Sequence, residues 1–68
     1  MKTITIRDEF IKLGQALKLA GLVNEGVEAK FAIQDGKVLL NNEVCTMRGK
    51  KCVSGDVISY NGETFTIA

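Results

Sequence analysis

Val57-Ile58-Ser59-Tyr60-Asn61-Gly62-Glu63-Thr64-Phe65-Thr66-Ile67 is the stretch that decides the fold. Two runs of alternating polarity flank Asn-Gly, the dipeptide that most strongly marks a two-residue hairpin. Upstream, Ser54-Gly55-Asp56 reads as a turn and Arg48-Gly49-Lys50-Lys51 as a polar, basic loop. A short strand is expected near Glu43 to Thr46. Before it, Lys37 to Leu40 reads as a strand ended by Asn41-Asn42, residues that tolerate left-handed turn geometry. The C-terminal half is thus a run of short strands.

The N-terminal half reads differently. Thr3 to Ile6 alternates as a short, half-buried strand does. Asp8 is a suitable cap for a helix running to about Ala20, with Gly21 as its stop. On that helix Phe10, Leu13, Leu17 and Ala20 share one side, and Lys12, Gln15 and Lys18 share the other. A second helix is expected to start at Asn24 and end before Gly36. Its apolar residues fall on two sides, Ala29, Ala32 and Ile33 on one, Val27 and Phe31 nearly opposite. Such a helix should be packed between partners, with Lys30 pointing outward. The predicted fold class is α+β: a two-helix hairpin packed on a small, mainly antiparallel sheet that ends in a hairpin. With 68 residues, no linker and no repeat, residues 1–68 read as a single domain.

Composition narrows the chemistry. Nine Lys+Arg against eight Asp+Glu leave a formal charge of +1, so a strongly cationic, histone-like binder is excluded and any polyanion must meet a local patch. Histidine is absent. With it go the ready general base near neutral pH, the Ser-His and Cys-His pairs, and the ordinary zinc site. No catalytic residue, metal ligand or cofactor is assigned. Cys45 and Cys52 form no C-x-x-C and read as small, partly buried thiols of a reducing compartment. No apolar run approaches the roughly 20 residues of a membrane span, and the N-terminus lacks a signal-peptide centre, so a cytoplasmic location without membrane contact is expected.

Nucleotide-binding glycine motifs are missing, as are the G-x-x-G clamp of a KH domain and the aromatic-rich strand of an RRM. Phe10, Phe31 and Phe65 read as core. Glu25 and Glu28 fall in the first turn of the second helix, where negative charge suits the helix dipole and opposes phosphate. The positive feature is Arg48-Gly49-Lys50-Lys51. Arg offers a planar fork to phosphate oxygens, Lys a mobile charge, and Gly close backbone approach. The plainer alternative is a solvated loop. If Lys12, Lys18 or Lys30 shares its face, the patch is large enough to position an RNA backbone.

Three ordered pieces carry a family resemblance: Leu13-x-x-x-Leu17-x-x-x-Gly21, then Ala29-x-x-x-Ile33-x-x-Gly36-x-Val38-x-Leu40-Asn41, then Val53-x-Gly55-Asp56-x-Ile58. With these spacings the chain resembles the S-four-type (alpha-L motif) RNA-binding domain. Leu13-Gly14-Gln15-Ala16-Leu17-Lys18-Leu19 and the basic loop are closer still to a stand-alone bacterial, YaaA/YbcJ-like subgroup. The resemblance implies RNA binding without catalysis, with structured rRNA or tRNA, and through it the ribosome, as partners. It places Lys12, Lys30, Arg48, Lys50 and Lys51 on the RNA-facing side, and Lys18, on the basic edge of the first helix, is assigned to the same surface. Where many relatives carry a Ser-Arg pair ahead of the second helix, this chain has Glu25 and Gly26, which shifts weight to the loop. A protein-interaction adaptor, its basic loop meeting an acidic surface, is the reading from a different class. A ubiquitin-like sulfur carrier would need a Gly-Gly tail, and the chain ends Thr66-Ile67-Ala68. Neither the RNA nor the oligomeric state is readable from the sequence.

Overall fold

The computed structural model describes residues 2–68. In chain order it contains β1 (Lys2–Ile4), β2 (Ile11–Lys12), α1 (Leu13–Leu19), α2 (Gly26–Gln34), β3 (Val38–Leu40), β4 (Glu43–Val44), β5 (Lys51–Cys52), β6 (Val57–Tyr60) and β7 (Glu63–Ile67). The main sheet runs β1-β7-β6-β3-β4, and β2 pairs with β5 in a separate two-stranded ribbon. Only β1 against β7 is parallel; the other pairs are antiparallel. The α+β expectation of a helix pair on a mainly antiparallel sheet is met.

The Asn61-Gly62 turn forms as its residues dictate. Both take positive φ, 53° and 80°, which matches the right-handed twist of the strands they join. The register then sets Ile58 opposite Phe65. Their side chains, with Ile4, Val38 and Ile67, face the helices and are buried. Leu13, Ala16, Leu17, Ala29, Ala32 and Ile33 close the core from the helix side. Small residues at Ala16, Ala29 and Ala32 fit this close helix–helix and helix–sheet packing. Fully burying one of the large residues, such as Phe65 or Leu17, contributes about 1.5–3 kcal/mol.

Polar residues of the second and third motif pieces tie the sheet together. The Asn41 amide nitrogen donates to Asp56 Oδ1 at 3.1 Å, while the Val57 N–H donates to Asn41 Oδ1 at 2.9 Å. Asp56 Oδ2 accepts the Val53 N–H at 2.8 Å, and the Gly55 N–H donates to the Ile67 carbonyl at 2.8 Å. Asn41 and Asp56 therefore lock the β3–β4 turn to the turn before β6.

Several expectations are corrected. The first helix does not begin at Asp8: residues 8–10 are non-helical, Ile11 and Lys12 pair with Cys52 and Lys51, and helical geometry starts at Leu13. The strand pairing takes the backbone groups that an earlier start would have used. Phe10 leaves the core as a result and is half-buried, with Lys51 Nζ 4.8 Å from its ring centroid. The basic loop is shorter than expected, because Lys51 belongs to β5. The second helix is capped at Glu25 rather than Asn24, whose N–H instead donates to Glu28 Oε1 at 2.9 Å. It packs on one side only. Val27 and Phe31 are 51% and 59% exposed, so neither is core, while Lys30 is half-buried rather than the most outward residue. The first strand spans Lys2–Ile4 instead of Thr3 to Ile6.

Candidate nucleic-acid interface

Helix α1 is short, and its start is held by the basic loop. The Leu13 N–H donates to the Lys50 carbonyl at 2.9 Å and the Gly14 N–H to the Arg48 carbonyl at 3.2 Å. Two of the N–H groups that a helix start leaves unpaired are thus satisfied by protein. What the loop presents outward is its side chains, drawn tightly against the helix.

Gly14 makes that approach possible. A Cβ built there would stand 3.0 Å from Arg48 Cγ, closer than side chains ordinarily tolerate. Glycine is a poorer helix former than alanine, by up to about 1 kcal/mol in a helix interior, so its presence at the second helical position needs a reason, and the stem of Arg48 lying across it supplies one. Arg48 thereby enters a hollow of about 320 Å³ bordered by Lys12, Gly14, Lys18, Gly26 and Gly49, with Gln15 on its rim. Three cations from the first helix, the residue before it and the loop converge there. Gly26, at the position where the family resemblance places an arginine, leaves the α2 side open. Lys30 lies one helical turn beyond Gly26 on the same side of α2.

The six sequence-predicted cations are not equivalent. Lys12, Lys18 and Arg48 border the hollow. Lys30 flanks it along α2, and Lys50 and Lys51 lie outside it. Lys51 stands directly opposite Lys12 across the β2–β5 ribbon and is drawn over the Phe10 ring. Like charges directly opposite on paired strands are destabilising. Lys12 also caps the positive end of α1, where a cation is disfavoured. The acidic residue nearest in sequence that is ordered by a hydrogen bond, Glu28, is turned to the Asn24 N–H.

Sequence reasoning read Gly49 as a point of close backbone approach but missed Gly14, Gln15 and Gly26 as parts of this surface. Gly14 carried a signal, a glycine in an otherwise helical pattern. Gly26 carried none, since nothing local shows that it borders the same hollow as Gly49. Among the described residues, no cluster of three or more His, Cys, Asp or Glu side chains could hold a metal ion. No helix among them is long and apolar enough to cross a membrane. Cys45 is half-buried and Cys52 fully buried, both as free thiols.

A cationic hollow between a helix pair and a following loop, on a small mixed sheet, is the arrangement of a binding module. The S4 domain family matches residues 4–68, and the chain belongs to that family. It is 42% identical over 59 residues to the probable ribosome maturation protein RlbA of Bacillus subtilis, covering 87% of this chain and 83% of that protein. It is 33% identical over 57 residues to the putative RNA-binding protein YbcJ of Escherichia coli, covering 84% of this chain and 81% of that protein. The solution structure of E. coli YbcJ, described as revealing an alfaL motif involved in RNA-binding, matches with a TM-score of 0.78 at 30% identity. That match covers 100% of this chain and 87% of the other. The family read from the three motif pieces is the family found.

Proposed function

We propose that this chain is a non-catalytic RNA-binding module for structured rRNA or tRNA, acting at the ribosome or on its precursors, and that residues 1–68 work as one unit. The observation that carries the reading is the convergence of Lys12, Lys18 and Arg48 on one glycine-floored hollow in a chain of formal charge +1. Glycines bring backbone close to a ligand, Arg48 supplies a planar fork, and the lysines supply adjustable charge. These are the means of holding phosphate oxygens. Lys30, Lys50 and Lys51 extend the surface on either side. The relatives' names, a ribosome maturation protein and an RNA-binding protein, point to the same ligand class.

The test is a titration of a structured ribosomal RNA fragment at several salt concentrations. About four or five phosphate contacts give a slope of log affinity against log salt near −3 to −4. Changing Lys12, Lys18 and Arg48 together to Ala should flatten that slope by about two to three while the fold is retained. An unchanged slope in the triple variant refutes the assignment.

One observation favours a second reading, a protein-interaction adaptor. Val27 and Phe31, one turn apart on α2, are exposed apolar residues that do not line the cationic hollow. Association with ribosomal particles that survives nuclease treatment would support that role, and loss of association on nuclease treatment would support RNA.

A further inference from the structure

The outer face of α1 is a ridge between two concavities. On one side lies the cationic hollow. On the other lies a larger, open groove of about 760 Å³, whose apolar walls are Ile6, Phe10, Ile11 and Leu19. Gln15 and Lys18 belong to both. Leu19 is 58% exposed, although it ends a helix whose other large residues are fully buried. The rim is mixed in charge, with Arg7 and Lys18 against Asp8.

We infer that this groove takes the unpaired base of a nucleotide whose neighbouring phosphate is held by Lys18 and Arg48 across the α1 ridge. The inference rests on the RNA-binding reading and makes it more specific: the module prefers RNA with an unstacked nucleotide to continuous duplex. A base is flat and apolar on its faces and polar at its edge. The groove offers aromatic and aliphatic surface from Phe10, Ile11 and Leu19, with Gln15 in its lining and Asp8 on its rim as partners for base-edge groups. Bases inside an A-form duplex cannot reach such a groove, because the major groove is deep and narrow and the stack is closed. An unstacked base can, and stacking on side chains is a general source of affinity for single-stranded positions. Lys51 does not line the groove. Its ammonium lies 4.8 Å from the Phe10 centroid and so links a groove residue to the strand that follows the cationic loop.

Charge and adjacency favour this occupant over an apolar peptide. The ridge residue Lys18 places a cation beside apolar wall on one side and beside Arg48 on the other, matching the alternation of base and phosphate along one strand. The mixed rim also disfavours a second phosphate inside the groove, where Asp8 would oppose it.

The test compares two short RNA duplexes of identical sequence, one carrying a single unpaired adenosine, at one low salt concentration. The native chain should bind the bulged duplex about tenfold more tightly. Leu19→Ser and Leu19→Ala, at an exposed position, should each bring that ratio towards one. Binding of the fully paired duplex and its salt slope should stay unchanged. Equal binding of the two duplexes by the native chain overturns the inference, and so does an equal weakening of both by either variant. If the native chain binds neither duplex, the RNA-binding reading itself fails, an outcome distinct from binding both alike.

Discussion

Cys52 shows what burial does to a single group. Its side chain is fully buried, with Sγ 3.7 Å from the Lys50 carbonyl. Burial, aided by the negative charge of Asp56 and by Cys45 and opposed by Lys50, pushes the thiol from 9.0 up to about 11. The thiolate is the nucleophilic form, so this cysteine is inert at neutral pH. The shift also makes stability depend on pH. Below pH 9 both folded and unfolded chains hold the proton and the contribution is complete. As pH rises through the range from 9.0 to about 11, the unfolded chain releases its proton while the folded chain keeps it, so stability falls. The limiting slope is about 1.4 kcal/mol per pH unit. Urea unfolding of the native chain and of Cys52→Ala across alkaline pH checks it. The native chain should lose stability more steeply than the variant, and parallel curves would show that Cys52 does not titrate differently on folding. The sequence could place both cysteines as partly buried thiols. It could not separate Cys45 from Cys52, because burial of Cys52 comes from its pairing with Ile11, far away in the chain.

At the scale of elements, legibility followed the range of the determining contacts. The β6–β7 hairpin was readable because Asn61 and Gly62 carry its geometry within two residues. The end of α1 at Gly21 and of α2 before Gly36 was readable for the same local reason. The start of α1 was not. Asp8 has the chemistry of a cap, but Ile11 and Lys12 are claimed by β5 and the first helical N–H groups by loop carbonyls. The one-sided packing of α2 was equally hidden, since two apolar sides do not reveal whether a second partner exists. Gly14 joins element to function. Replacing it with Ala removes a helix penalty of up to about 1 kcal/mol but sets a methyl 3.0 Å from Arg48 Cγ. The Arg48 stem must then give by a few tenths of an ångström, so the variant should be about as stable as the native chain. Its RNA affinity should fall, because that shift carries the guanidinium from its place beside Lys12 and Lys18. Paired urea-unfolding and RNA-titration measurements separate the two effects. Unchanged affinity would show that Arg48 need not lie across Gly14 to bind.

For the whole molecule, a charge balance near zero conceals a local gathering of cations. Asp56 is spent on the Asn41 and Val53 hydrogen bonds at the sheet turns and Glu28 on the start of α2, while Lys12, Lys18 and Arg48 gather in one hollow beside α1, with Asp8 in the neighbouring groove. Composition reported the sum, and only the fold could report the gathering. Gathering cations without a ligand is unfavourable, most plainly at Lys12, which faces Lys51 across the ribbon and sits at the positive end of a helix. A surface kept for a polyanion should therefore weaken the unbound protein. Lys12→Gln removes the repulsion while leaving the backbone pairing and the apolar stem largely in place. At low salt it should be more stable than the native chain by about 0.5 kcal/mol. The gap should shrink as salt screens the native repulsion, since exposed charges interact weakly beyond a Debye length of about 10 Å at 0.1 M. The same variant should bind RNA more weakly, with a salt slope reduced by about one. Urea midpoints at two salt concentrations, set beside the binding titration, read both sides. A Lys12→Gln chain that is less stable than the native one at low salt, or equally tight on RNA, would mean that Lys12 serves the fold and not a bound polyanion.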